Sequence, residues 1–259
     1  TAAWLAPVTL IGLFGLQGGT FALFTALIVL LGTWEWTNLA GVGASRTRMA
    51  LVAGMAILLA LLWLGGAAYA VWPLWLAAAG WLLNLYWVTQ YPHSSQQWHT
   101  TSRRLLMGVW VLLPCWVGFN VLRDSGAVWL LFVLLLVWTA DIGAYFAGRR
   151  WGKRKLAPRV SPGKSWEGVY GGLVATTLLA MLFALWQPLG PMGGVALVVI
   201  TAVVTLTSVL GDLFESMLKR YRNIKDSSQL LPGHGGVLDR IDSLTAAIPI
   251  FALFYLQVL

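Results

Sequence analysis

The stretch GVYGGLVATTLLAMLFALWQPLGPMGGVALVVITAVVTLTSVLG, residues Gly168–Gly211, contains no Asp, Glu, Lys or Arg. A helix that crosses a bilayer core of about 30 Å needs about 20 apolar residues, so the tract is long enough for two crossings. Pro188, Gly190, Pro191, Gly193 and Gly194 divide it, because Pro and Gly interrupt helical patterns. Uncharged tracts also run from Thr1 up to Glu35, from Met49 to Ser102, from Leu105 to Leu122 and from Ser243 to Leu259. Gln17, Gly18 and Gly19 break the first of these, and Gly65 and Gly66 break the second. Nine spans result, near residues 1–16, 20–40, 50–65, 68–89, 104–122, 127–148, 168–187, 194–218 and 240–259.

Composition agrees with this reading. Of 259 residues, 59% are hydrophobic and 10% charged, against roughly 45–50% and about 25% in soluble domains. A soluble globular domain is excluded. Nine spans use about 180 residues, which leaves loops rather than a second domain of ordinary size. The expected fold is therefore one all-α, polytopic membrane domain over residues 1–259. Its single Cys115 lies in an apolar stretch, so no disulfide framework or Cys-based metal site is expected. A start at Thr1 rather than Met implies that native residues precede it, and Trp4 to Leu16 reads as a first span rather than a signal peptide.

The charges supply an independent check on the count, since short cytoplasmic loops are enriched in Lys and Arg. With a cytoplasmic N-terminus, the loops after spans two, four, six and eight collect Arg46, Arg48, Arg103, Arg104, the basic run from Arg149 to Lys164, Lys219, Arg220, Arg222, Lys225 and Arg240. Only Arg123 falls on the other side. A miscount by one span would divide these residues between the two faces. The net charge of +8 thus forms a one-sided layer suited to anionic headgroups or phosphorylated solutes. Seven of the nine acids lie from Asp141 onward, so residues 1–126 read as scaffold and 127–259 as the catalytic half.

Two clusters carry the candidate chemistry. In the first, Asp141 lies within span six, where a carboxylate marks either a functional site or an ion pair, here with Arg149 or Lys153. Ser161-Pro162-Gly163-Lys164-Ser165 has the composition of a phosphate-cradling loop without the spacing of a P-loop. The second cluster runs from Asp212 to Asp242. Asp212 and Glu215 share a helix face one turn below Lys219, Asp239 and Asp242 share another, and a hinge containing His234, Gly235 and Gly236 joins the two. Hard oxygen ligands beside Lys and Arg suit a Mg²⁺ or Mn²⁺ nucleotide site, with Asp212 and Asp239 as first ligands, Asp141 as the third acid and Asp242 in reserve. Lys219, Arg220 and Lys225, between the carboxylate pairs, are the expected phosphate contacts.

The segment from Ser216 to Asp242 resembles the signature of the phosphatidate cytidylyltransferase, or CDP-diacylglycerol synthase, family. Ser216, Lys219-Arg220, Lys225-Asp226, Ser228, Pro232, His234-Gly235-Gly236, Asp239-Arg240 and Asp242 stand at the family's spacing. The element from Ser161 to Gly168 is similar to a second family motif. The resemblance implies an enzyme that condenses CTP with phosphatidic acid into CDP-diacylglycerol and pyrophosphate. It also implies Mg²⁺ or Mn²⁺ with a K⁺ companion, a homodimer in a bacterial inner membrane, and an active site facing the cytoplasm, with membrane lipid and no nucleic acid as partners. On that basis Asp141, Asp212, Asp239 and Lys219 are catalytic. Lys164, Ser165, Ser216, Arg220, Lys225, Asp226, His234 and Arg240 bind substrate. A related CTP-dependent lipid-alcohol kinase and, in a different class, a transporter or anion channel remain the alternatives.

Overall fold

The computed structural model describes residues 2–259 apart from His234, and side chains from Thr9 onward; the substrate-binding role expected of His234 lies outside the described residues. The helices are α1 (Ala2–Gly15), α2 (Gly18–Leu39), α3 (Ser45–Leu64), α4 (Trp72–Thr89), α5 (Ser95–Trp98), α6 (Thr101–Ser125), α7 (Ala127–Trp151), α8 (Trp166–Trp186), α9 (Gly190–Tyr221) and α10 (Leu238–Val258). Each of the nine expected stretches holds one helix; α5 is a single extra turn. Seven of the described helices, α2, α3 and α6–α10, are long and apolar enough to cross a membrane. The described part of α1 has 14 residues, fewer than any of these seven. Asn84 and four Trp dilute the hydropathy of α4.

Several helices run past the limits set by uncharged sequence. Arg46, Arg48, Arg103, Arg104, Arg149, Arg150, Lys219 and Arg220 therefore sit on helical turns rather than in loops. Long basic side chains allow this, because their stems lie along apolar surface while their heads reach the interface. Tight breaks fall where the chain has glycine at positive φ, notably Gly126 (136°) between α6 and α7 and Gly190 (67°) at the first position of α9.

The all-α expectation needs one correction. Residues between α7 and α8 form an antiparallel hairpin, β1 (Lys155–Ala157) with β2 (Ser161–Ser165), pairing Lys155 with Ser165 and Ala157 with Ser161. An extended segment too short to bury its own faces is stabilised here by tertiary contacts. Arg220 Nε of α9 donates to the Val160 carbonyl (3.2 Å), Val160 is buried, and the Trp166 amide donates to the Arg154 carbonyl (2.9 Å).

In the packing, α6 and α10 form the core and α3 is the least buried of the long helices. Close approach depends on small residues, as is usual where lipid supplies no hydrophobic drive between helices. A Cβ on Gly211 of α9 would lie 2.5 Å from the Asp242 carbonyl oxygen of α10. One on Gly143 of α7 would lie 2.8 Å from the Gly171 carbonyl of α8. These two seams set the depth of the acidic residues carried on α7, α9 and α10.

Candidate active site

The loop from Arg222 to Val237 returns the chain from α9 to α10, and carboxylates knit its backbone. Lys219 Nζ lies 2.7 Å from Asp239 Oδ1 and 3.2 Å from Glu215 Oε1, so one ammonium ties the end of α9 to the start of α10. All three side chains are largely buried. Asp239 also accepts from the Gly236 amide (2.7 Å) and from the Ser227 amide (3.0 Å) and hydroxyl (2.9 Å). Its lone pairs are thus taken up by the protein itself.

A second group of charges faces an open space. A cavity of about 370 Å³ lies between α7, α8, α9 and β2, with Asp141, Arg149, Lys164, Ser165 and Asp212 on its walls. Lys164 Nζ pairs with Asp212 Oδ2 at 2.8 Å, and the Ser216 hydroxyl donates to Asp212 Oδ1 at 3.1 Å. Both members of the Lys164–Asp212 pair keep part of their surface open. Asp141 makes no ion pair among the described residues, so the alternative in which Arg149 or Lys153 neutralises it is not realised; Arg149 instead donates to the Tyr145 hydroxyl (2.8 Å). Ser165 is buried and caps α8, accepting from the Gly168 amide at 3.2 Å. Asp242 accepts from the Ser243 amide (2.7 Å) and lies within electrostatic reach of Asp212, Lys164 and Lys219.

Of the remaining expected ligands, Arg220, Lys225, Asp226 and Arg240 are exposed around this region. A longer apolar groove of about 680 Å³ adjoins the cavity. It is lined by Leu85, Val88, Leu206, Leu210 and Leu213 together with Arg159. Val169 and Val209 belong to both walls, so the polar and apolar spaces are neighbours.

The four expected metal ligands are thus not gathered into one set. No group of three or more His, Cys, Asp or Glu among the described residues is close enough to hold a metal ion. Mg²⁺ is commonly held by one or two carboxylates together with substrate phosphates rather than by an all-protein cage. Asp212, with Asp141 on the same cavity wall, fits that mode. Among the described residues Lys164 pairs with Asp212 and Lys219 with Glu215 and Asp239, Asp141 and Asp242 make no ion pair, and Arg149 shares the cavity wall.

The model of the "Cytidylyltransferase family" matches residues 1–258. The chain belongs to the cytidylyltransferase family. Among its relatives, a protein of Pseudomonas aeruginosa named phosphatidate cytidylyltransferase is 50% identical over 97% of this chain and 93% of its own length. One of Haemophilus influenzae with the same name is 41% identical over 100% of this chain and 98% of its own. A third, from Bacillus subtilis, is 44% identical over 49% of this chain and 47% of its own.

In this member of the cytidylyltransferase family, sequence reasoning missed Glu35. It is fully buried on α2, in the half read as scaffold, and it meets the returning loop from the opposite side. Its carboxylate accepts from the Val237 amide (2.9 Å), the Leu238 amide (2.5 Å) and the Ser228 hydroxyl (2.5 Å). These contacts cap α10, whose own N-cap, Val237, has no side-chain oxygen. Anions favour a helix N-terminus, but here Glu35 and Asp239 already occupy that end. A signal was present: Glu35 is an acid inside a span, the criterion that singled out Asp141.

Proposed function

We propose that this chain condenses CTP with phosphatidic acid to give CDP-diacylglycerol and pyrophosphate, in phospholipid biosynthesis. The observation that carries the reading is the contiguity of the charged cavity and the apolar groove across Val169 and Val209. An enzyme that joins a nucleotide to an amphiphile needs the two environments to adjoin so that the reacting phosphates meet. The family relationship over the whole chain supports the same substrates.

In this reading a lipid phosphate oxygen attacks the α-phosphorus of CTP, the bond from that phosphorus to the bridging oxygen breaks, and pyrophosphate leaves with its electron pair. A phosphate monoester is already largely dianionic near neutral pH, with a second pKa of about 6, so no strong general base is required. Positioning and charge stabilisation then dominate. Lys164 and Arg149 on the cavity wall, with Arg220 and Lys225 above it, bind phosphate oxygens. Lys219, already held between Glu215 and Asp239, orders the α9–α10 junction. Asp212 and Asp141 would hold Mg²⁺ or Mn²⁺, which supplies Lewis-acid neutralisation of phosphate charge. The wider reading includes Asp242 as a further ligand, a K⁺ companion and a homodimer, whereas Asp239, engaged by Lys219, Ser227 and Gly236, would hold the loop rather than the metal.

The same proposal places the chain in a bacterial inner membrane with nine spans, a cytoplasmic N-terminus and the cavity on the cytoplasmic side. The basic residues support it: Arg103 and Arg104 sit at one end of α6 and Arg123 at the other, in keeping with the charge sorting. Incubating the purified chain in detergent with radiolabelled CTP, phosphatidic acid and Mg²⁺ tests the activity. Labelled CDP-diacylglycerol with release of pyrophosphate is expected. Release of CDP with transfer of the γ-phosphoryl group would replace the reading by a kinase.

A further inference from the structure

We propose that Glu35 of α2 is a positioning residue for the active site: from outside the catalytic half it clamps the Asp226–Leu238 loop and so holds Asp239 and Lys219 in register. The inference rests on the proposed nucleotidyl transfer for its kinetic test but on geometry alone for its structural one.

Glu35 has no exposed surface and makes no ion pair among the described residues. A buried carboxylate is costly unless hydrogen bonds satisfy it. All its recorded partners are donors and all belong to the loop or the first turn of α10: the Ser227 hydroxyl (3.4 Å), the Ser228 hydroxyl, and the Val237 and Leu238 amides. One turn further along α2, Asn38 Nδ2 donates to the Ser227 carbonyl at 3.0 Å. Ser227 therefore stands between two carboxylates, with its hydroxyl 2.9 Å from Asp239 Oδ2 and its amide also directed at Asp239. Gly236 is pressed into the same place, because a Cβ there would lie 2.5 Å from Glu35 Oε1, while its amide donates to Asp239. Through Ser227 and Gly236, a displacement of Glu35 becomes a displacement of Asp239 and of the ammonium paired with it.

Glu35→Gln tests the chemistry directly. It preserves shape but turns one acceptor into a donor that faces a backbone amide, that of Val237 or Leu238, which cannot accept. Misplacing catalytic groups by about 1 Å costs about 100-fold in rate, so kcat per folded molecule should fall by about that factor while KM for CTP changes less than about threefold. A spin label at Leu230→Cys, an exposed loop position, reports the clamp without activity, and Cys115 is too buried to compete. The label should gain mobility in Glu35→Gln. Should that variant not fold, Asn38→Leu removes the second grip; a loss of about tenfold in kcat, the equivalent of one hydrogen bond, with a more mobile label is expected. A folded variant whose kcat stays within threefold and whose label is unchanged would overturn the clamp, since a merely structural Glu35 would alter yield or melting alone. If the unaltered chain makes no CDP-diacylglycerol, the functional reading fails, and the spin label alone then decides the clamp.

Discussion

Asp239 and Asp212 lie on the contacting helices α10 and α9, yet their surroundings differ in kind. Asp239 receives one ammonium, one hydroxyl and two backbone amides, and its side chain is almost fully enclosed. Asp212 has one ammonium and one hydroxyl and remains about one-third exposed to the cavity. The first carboxylate has spent its acceptor capacity on ordering a loop, while the second keeps capacity for something that enters from outside. The difference teaches that acids of one cluster divide between holding the site and serving it.

The strongest way to break this contrast is to neutralise each acid in turn. Asp212→Asn should reduce turnover by about a thousandfold, in the range of losing a group aimed at transition-state charge, while the thermal midpoint in detergent stays nearly unchanged. Asp239→Asn should also lose activity but destabilise the fold by about 3 kcal/mol, because it leaves the enclosed Lys219 with an incomplete partner set. Equal melting of the two variants would erase the distinction.

A smaller effect sharpens it. Lys164→Gln removes the ammonium beside Asp212 without disturbing Asp239 and should raise KM for CTP by about tenfold, equivalent to about 1.4 kcal/mol of binding. Because this pair is only partly buried, the cost in stability should remain below about 1 kcal/mol. Unchanged KM and kcat would remove Lys164 from substrate binding. Smallest of all, Arg154→Gln breaks the 3.5 Å contact with Glu167 at a mostly exposed site. Turnover should remain within twofold and stability within about 0.5 kcal/mol; a larger loss would show that the hairpin end takes part in the site.

Much of the fold is legible in the chain, for a physical reason. A bilayer tolerates only helices whose backbone groups are satisfied internally, so uncharged length and Gly or Pro breaks locate the helices without reference to any distant contact. The hairpin Lys155–Ser165 is not legible in this way, because Arg220 and the packing of Val160 hold it extended. The site divides similarly. The acids and lysines from Asp141 to Asp242 stand out as charges in an apolar chain, and the cavity collects Asp141, Lys164 and Asp212 from separate segments. Glu35 was visible by the same criterion but lacked charged neighbours in sequence.

By itself, then, the sequence determined the membrane environment, the position of nine helical stretches and the family signature, since each depends on local composition and spacing. Only the tertiary structure decided that Lys219 bridges Glu215 and Asp239, that Lys164 pairs with Asp212, and that Glu35 of α2 caps α10 some two hundred residues away in the chain. Side-chain pairing of this kind depends on which helices approach closely. Contacts such as Gly211 against Asp242 set that approach, and no local pattern in the sequence specifies it.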